Sequence, residues 1–475
     1  NAVSDMRNFP EKPAQRQLVV TQAENLTEQF RMIRREIDET RLAINAQFSA
    51  AVDEINSLGE QIASVGTEIV RAESGGMYRG SAAALRDQRD SLLRQLSELV
   101  SVNVIEQATG ALEVQIGGHA LVSGGEAFGL RVETALGYDQ ATGTWITRPE
   151  DLENPDDVAD VPLRYAVFDL DGSVLDTEGG MIHGLLASRD DICAGQAETL
   201  DTLVSNLIFE MNKLHSEGCG LEFFDEVRSL ESVDDPDAVL NDAGLHWNPT
   251  NGSFNIRVHD VNTGQVKTVN IQVDLDGIGT DDSLNSLAGK INTAMTAAGL
   301  GVAASVNGDN TLSIASSADD TRFTFSDDTS DVLAVLGINT FFTGHDAANV
   351  GVSAAVRNNI NLVAAGLSPV PDDGSNAARI IDLRTVPLKA LGGLSLEEFY
   401  QACISKLAID ASITASRSDG AAAYRDSLLS ERESISGVNI DEEAMNMMRY
   451  QRAFQAAARY VNVIDELLQT MLALV

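Results

Sequence analysis

Cysteine is scarce in this chain. Cys193, Cys219 and Cys403 are the three in 475 residues, too few and too scattered for a disulfide framework or a zinc knuckle. Cys193 and Cys403 fall within apolar helical patterns, which predicts buried thiols. Basic residues are scarce as well. Lys and Arg number 33 against 71 Asp and Glu, leaving a net charge of −38. That argues against nucleic acid and against membrane surfaces as partners, since both are anionic and need positive charge opposite them. No apolar run reaches the roughly 18 residues that a membrane span needs, and no basic-then-apolar leader opens the chain. The chain starts at Asn1, without a methionine and in a stretch that reads as loop; the expectation is that sequence upstream is missing.

Catalytic patterns are also lacking. There is no P-loop, nucleophile elbow or dinucleotide fingerprint. The six histidines form no close pair with metal-ligand spacing, and His183, His215 and His345 are expected at the surface or at element boundaries. The sequence therefore predicts no enzyme, no cofactor and no metal site.

What the chain does have is a long apolar seam at its end. In Ser436–Val475, Met447, Tyr450, Phe454, Ala457, Val461, Ile464, Leu468, Met471 and Val475 recur at alternating spacings of three and four. This is an unbroken a/d line that asks for another helix along it. Asn439 and Glu442 form a capping pair, and Asp441, Glu442 and Glu443 place negative charge on the positive end of the helix dipole. Tyr460, Leu467 and Leu474 widen the stripe. A seam that runs to the last residue predicts assembly with other chains.

From the start, Asn1–Pro13 reads as an irregular lead-in. A long helix follows, with Leu26, Phe30, Ile33, Ile37 and Ile44 in heptad register and Thr40 in the intervening slot. After a slip of one residue the line resumes as Phe48, Ala51, Ile55, Leu58, Ile62, Val65 and Ile69. Gly75-Gly76 breaks it, and Leu85, Leu92, Leu96 and Leu99 mark a second helix capped at Ser81, which makes an αα-hairpin. Near Val102 the period changes to two: ALEVQI, HALVSG and FGLRVE alternate as strands with Gly-Gly turns, and RYAVFDLDGSVLD carries a hairpin turn at Asp171-Gly172. Helix returns at Gly180, with a stripe of Leu200, Leu203, Leu207, Met211 and Leu214. The region 231–344 is acidic, with sixteen Asp/Glu against four Lys/Arg. It predicts a hairpin around Asn262-Thr263-Gly264, a helix at Ser283–Ala298 and three further strands, with the acidic rows as a solvated face. Val350–Leu383 reads as irregular. A capping box at Ser395–Glu398 opens another helix with Leu396, Phe399, Cys403 and Leu407 on one face, continued after Gly420 by Ala421, Tyr424 and Leu428.

Two stretches invite a chemical reading. VFDLDGSVLDTE (Val167–Glu178) resembles the first motif of haloacid-dehalogenase-type phosphatases, which would make Asp169 a nucleophile and Asp171 a general acid beside Mg²⁺. The motif there needs a parallel sheet, whereas the neighbourhood here reads as antiparallel hairpins; this Mg-dependent phosphatase is the alternative function. DLDGIGTDD (Asp274–Asp282) suggests a calcium loop, but its twelfth position is Asn285 and a strand precedes it.

The tail run GVNIDEEAMNMMRYQRAFQAAARYVNVIDELL closely resembles the C-terminal signature of the bacterial flagellar axial proteins, and most of all their hook-associated members. GMIHGLLASR (Gly180–Arg189) with the following helix is similar to the family's internal helical segment, and LGINTFFTGHDAANVGVSAAV (Leu336–Val356) to the run that returns from its outer domain. The SLxxLAxKIN helix at Ser283–Asn292 resembles small modules inserted in flagellins and hook-associated proteins. One departure stands out: the family's N-terminal heptad helix has no counterpart before Pro13. The resemblance implies a structural protein of the hook–filament junction, with a filament-cap or hook subunit as the neighbouring possibility. It would be exported to the cell exterior through the flagellar type III apparatus. Its implied partners are further copies of itself in a ring-like or helical layer, the hook protein, a second hook–filament junction protein, and a FlgN-type export chaperone in the cytosol.

The expected fold is α+β and multidomain, a long coiled-coil-like helical rod built from both ends of the chain with inserted β-rich domains. Residues 1–100, 180–225 and 388–436 form the rod, 101–179 and 345–387 a β-rich domain, 231–344 the acidic outer domain, and 437–475 the assembly helix.

Overall fold

The computed structural model describes residues 1–73, 82–107, 110–139, 144–148, 161–436 and 440–472. The Gly75-Gly76 break, the caps at Ser81 and Asn439, and Val475 lie outside these residues. The chain forms two compact units, a body (Asn1–Tyr400) and a terminal unit (Gln401–Val475). The architecture is α+β and multidomain, with long helices near both ends and several small sheets. No described helix is long and apolar enough to cross a membrane.

The expected irregular lead-in is instead a short helix, α1 (Ala2–Asn8), whose Met6 is buried. α2 (Pro13–Glu73) is a single helix of 61 residues, starting on a proline whose missing N–H would have had no partner at that position. Its two halves differ. In the second half Phe48, Ala51, Ile55, Leu58, Ile62, Val65 and Ile69 are all buried. They pack against Leu92, Leu96 and Leu99 of α3 (Ala83–Leu99) and against the sheet that follows. In the first half the heptad line is only partly covered: Leu26 and Ile33 are exposed and Phe30, Ile37 and Ile44 half-buried, while Thr27, Arg34, Arg41 and Asn45 are buried. The reason is an ion pair. Arg34 Nε lies 3.0 Å from Asp201 Oδ2 on the facing helix and also pairs with Asp38, and burying that guanidinium leaves part of the apolar line uncovered.

Strands β1 (Asn103–Glu106), β2 (Leu112–Ile116), β3 (His119–Ser123) and β4 (Glu126–Ala127) form an antiparallel meander. Gly117-Gly118 and Gly124-Gly125 make its turns at positive φ, which only glycine adopts at little cost. β5 (Leu130–Ala135) pairs antiparallel with β8 (Leu163–Phe168), and β6 (Gly137–Asp139) with β7 (Thr144–Ile146). α4 (Gly180–Ala187) starts hard against the end of α3: a Cβ on Gly180 would sit 2.6 Å from Leu99 O and Val100 N. A π-helical turn (Ser188–Cys193) leads into α5 (Ala194–Ser216). It aims the buried Arg189 at Asn45 Oδ1 (2.7 Å) and Arg164 O (2.6 Å), tying α2, β8 and the turn together. Cys193 and Cys403 are only half-buried; the buried thiol is Cys219.

The acidic region folds around its own core. β9 (Glu226–Arg228) joins β12 (Val302–Val306) and β13 (Leu312–Ser316) in one sheet; β10 (Gly252–Asp260), β11 (Val266–Val273) and β14 (Thr321–Ser326) form the other. α6 (Leu284–Ala298) buries Leu284, Leu287, Ala288, Ile291 and Met295 against them. Ser283 caps it in a reciprocal box with Ser286, and Gly299 closes it in the left-handed region, so orphan groups at both helix ends find partners.

After α7 (Val332–Val335) the chain returns through β15 (Phe342–Thr343) and β16 (Gly351–Val352), which pair with each other. Residues 345–387, expected in a β-rich domain, carry α8 (Ala354–Asn358) and α9 (Ser375–Asp382). They pack with Met6, Val19, Val20, Val204 and Ile208 rather than with the sheets of 101–179. Proline and Asp-Gly breakers had hidden helices too short to show a period. α10 (Leu396–Ser436) opens on the expected capping box, with Glu398 Oε2 accepting from Ser395 N and Oγ, both at 3.0 Å. α11 (Ile440–Leu472) is the last element.

One joint recurs in the body. Asn56 donates to Leu130 O and accepts from Leu130 N, both at 2.8 Å. Asn212 holds Phe342 O (3.0 Å) and Phe342 N (2.8 Å) in the same way, and Asn292 holds Ala304 O and N at 2.8 Å. Each helix amide stands in for one rung of a β ladder.

Candidate assembly interface

α11 has 33 residues, about 50 Å at 1.5 Å per residue. Asp441, Glu442 and Glu443 occupy its first turn, where the helix dipole favours them. Along it Met447 is 59% exposed, Tyr450 74%, Phe454 76%, Val461 57% and Ile464 38%; Ala457 is exposed as well. Leu468 and Met471 continue the helix, though their side chains, like all of Val475, lie outside the description. The seam thus lies on one continuous helix with its described apolar side chains in solvent. At about 2 kcal/mol per buried side chain, Met447, Tyr450, Phe454, Val461 and Ile464 offer ~10 kcal/mol to a partner. Association itself costs about 4–15 kcal/mol, so one helix pair is marginal and several simultaneous contacts are needed.

Sequence reasoning missed two features of this helix. Met445 and Val463 are also exposed, at 59% and 51%. They lie about five turns apart at 3.6 residues per turn, on a line opposite the seam, so α11 has two apolar sides. Between Glu443 and Asp465 the helix carries Arg449, Arg452 and Arg459 and no acid. A local excess of positive charge was legible in the sequence, hidden by the overall balance of −38.

The chemical alternatives do not assemble. β8 is antiparallel to β5 in a two-stranded sheet, so Asp169 is not delivered by a parallel strand; it lies 3.3 Å from Arg131 Nη1. Asp171 accepts from Ser173 Oγ (2.5 Å) and N (3.0 Å). The Ser173 side chain and backbone, with His119 after them, hold its carboxyl below the usual range, which leaves it ionised where a general acid must carry a proton. Ser173 and Asp171 both approach the same Nδ1 of His119, each at 3.1 Å, so no relay runs through that ring. The Asp274, Asp276 and Asp281 carboxylates do converge, within 4.8 Å of one another. Asn285, in the position an EF-hand needs for a bidentate acid, donates instead to Asp237.

His183 and His345 are exposed, as expected, but His215 departs from expectation. His215 is fully buried. Ala364 N–H donates to its Nε2 at 3.0 Å, so the proton sits on Nδ1 and is donated to Asn339 O at 2.7 Å. Burial pushes its pKa down to about 4. His246 and His345, 99 positions apart in sequence, come together with ring centroids 4.5 Å apart and planes tilted by 31°.

The family pattern described as "Flagellar hook-associated protein FlgK helical domain" matches residues 1–224, and "Flagellar basal body rod FlgEFG protein C-terminal" matches residues 430–474, the stretch that holds α11. Flagellar hook-associated protein 1 of Escherichia coli is 22% identical over 97% of this chain and 77% of its own length. Its Salmonella typhimurium counterpart is 24% identical over the same shares, and that of Bacillus subtilis 23% identical over 99% and 74%. The chain is thus similar to flagellar hook-associated protein FlgK over nearly its whole length. The solved structure of the flagellar hook junction protein FlgK from Burkholderia pseudomallei is 18% identical with a TM-score of 0.42, covering 77% of this chain and 58% of that one.

Proposed function

We propose that this chain is a structural subunit of the bacterial flagellum that joins hook to filament and assembles through α11. The observation that carries the proposal is the seam itself: one long helix, in the segment matched by the rod C-terminal family, whose described large apolar residues are all exposed in the single chain. Copies would meet head to tail, because a ring or helical layer needs heterologous contacts. Met447, Tyr450, Phe454, Ala457, Val461, Ile464, Leu468, Met471 and Val475 form the contact line. The arginines of α11 would lessen repulsion between chains that each carry strong negative charge. The likeness to the flagellar hook-associated proteins supports the finer parts of the proposal. The subunit is exported through the flagellar type III apparatus, held beforehand by a FlgN-type chaperone that covers the seam, and placed outside the cell between the hook protein and a second junction protein. Its role is mechanical rather than catalytic, and the domain scheme assigns 437–475 to assembly and 231–344 to the outside.

The test is a double substitution, Phe454→Asp with Leu468→Asp. The expected result is loss of both self-association in sedimentation and chaperone binding, with the body folded as before. Normal incorporation of the double variant at the junction would sink the assignment.

A further inference from the structure

The chain leaves the helical core for the acidic module and later returns, and one buried ring is bonded beside both passages. Going out, Cys219 exchanges backbone hydrogen bonds with Gly366, at 2.7 and 3.2 Å. Coming back, the chain passes Asn339, whose side chain donates to the carbonyls of His215, Ser216 and Gly218 at the end of α5. His215 has no exposed surface. Its Nδ1 donates to Asn339 O on the returning segment, and its Nε2 accepts from the N–H of Ala364, two residues before Gly366.

The peptide unit between Val363 and Ala364 is gripped from both ends. Arg16 of α2, 1% exposed, donates from Nη1 to Val363 O, while His215 takes the N–H of the same unit. Asn376 of α9 donates to Ala364 O and Leu214 O, both at 2.8 Å. Further on, Arg257 of β10 in the module donates to Leu367 O at 2.6 Å. Residues 363–367 are thus a brace between core and module. Around the ring, Arg16 is the charged group whose field reaches it. Cys219 brings a neutral thiol, its pKa pushed up to about 11 by burial, and Glu217 at the end of α5 is paired with Arg379 of α9 at 2.8 Å.

An imidazole with both nitrogens protonated has two donors and no acceptor. A protonated His215 would set its Nε2–H against the Ala364 N–H and face Arg16 across one peptide plane. We propose that His215 is an acid-sensitive latch between the module and the helical core: on taking up a proton it releases residues 363–366, the Cys219–Gly366 bridge opens with them, and both parts keep their own folds. Their separate cores support the last step. Burial, with Arg16 adding to it, holds the ring's pKa down to about 4 in the closed joint, against about 6.5 once it is released to water. The opening equilibrium should therefore rise about twentyfold between pH 7 and pH 5. The latch works apart from the assembly role of α11.

Hydrogen exchange on the full-length chain at pH 7 and pH 5, corrected for the intrinsic rate at each pH, tests it. The amides of Cys219, Ala364 and Gly366 are expected to lose about twentyfold in protection, while those of Ile256 and Ile271 in the module and Ile55 in α2 keep theirs. His215→Gln, uncharged at both values, should show no such dependence. An equal loss in that variant would overturn the proposal, and so would a loss shared by the three isoleucine amides, which is unfolding of the whole chain. Should the variant fail to fold, the native chain decides: nuclear magnetic resonance of the histidine rings should find His215 still neutral at pH 5.5 with Nδ1 protonated. A His215 ring that titrates near pH 6.5 while the joint stays protected would overturn the latch.

Discussion

α6 and α11 are both amphipathic helices with marked beginnings, and they have opposite fates. α6 spends its apolar residues at home: Leu284, Leu287, Ile291 and Met295 are at most 1% exposed, covered by strands of the same module. α11 has a longer apolar line and covers none of its described large residues. The same pattern therefore means core in one place and an uncovered face in the other. What separates them is supply. The acidic module brings two sheets to α6, while none of the described residues covers the large apolar side chains of α11.

The contrast can be broken at the α6 end first. Ile291→Asp puts a charge at a site that is 0% exposed; a loss of more than about 4 kcal/mol is expected, seen as disappearance of the module's cooperative unfolding transition. Acid gives the next effect. His215 has a folded pKa of about 4 against about 6.5 when unfolded. The unfolded chain thus takes up a proton that the folded one refuses. The stability this neutral ring contributes is full above about pH 6.5 and is lost as pH falls toward 4, by about 3 kcal/mol. Denaturant titrations at pH 7 and pH 4 should show the stability gap between the native chain and His215→Asn closing by that amount. A milder change, Ser283→Ala, removes the α6 cap and should cost about 1 kcal/mol in the same titration. The smallest effect belongs to α11: the Phe454→Asp, Leu468→Asp chain should unfold with a body stability within about 0.5 kcal/mol of the native chain. If that variant is instead as damaged as Ile291→Asp, α11 is a strut of the fold and the comparison fails.

How much of this was legible depended on whether burial followed periodicity. In the second half of α2 every residue of the apolar line is buried, and α6 was readable as a helix over Ser283–Ala298. The first half of α2 shows the limit. Leu26 and Ile33 of its heptad line stay uncovered because Arg34 is committed to Asp201, a partner 167 positions away that no local pattern announces. His215 was misplaced for a similar reason: its two partners, Asn339 and Ala364, come from the return of the chain past the acidic module. The meeting of His246 and His345 is wholly a product of topology. The apolar line of α11 was legible as a line on one helix, since an a/d seam needs no tertiary partner to be seen. Met445 and Val463 escaped because they form a second line too sparse to register as a seam.

The asparagine joints have a mechanical side. An amide is rigid and planar, so a strand held by both its oxygen and its nitrogen cannot be peeled off one bond at a time; the two fail together or not at all. Asn56, Asn212 and Asn292 place one such rivet beside each of three cores. A body that carries load between its neighbours is thereby pinned at three points against slippage of strand along helix. Changing any of these residues to aspartate, which has no N–H to give, would turn a rivet into a sliding contact.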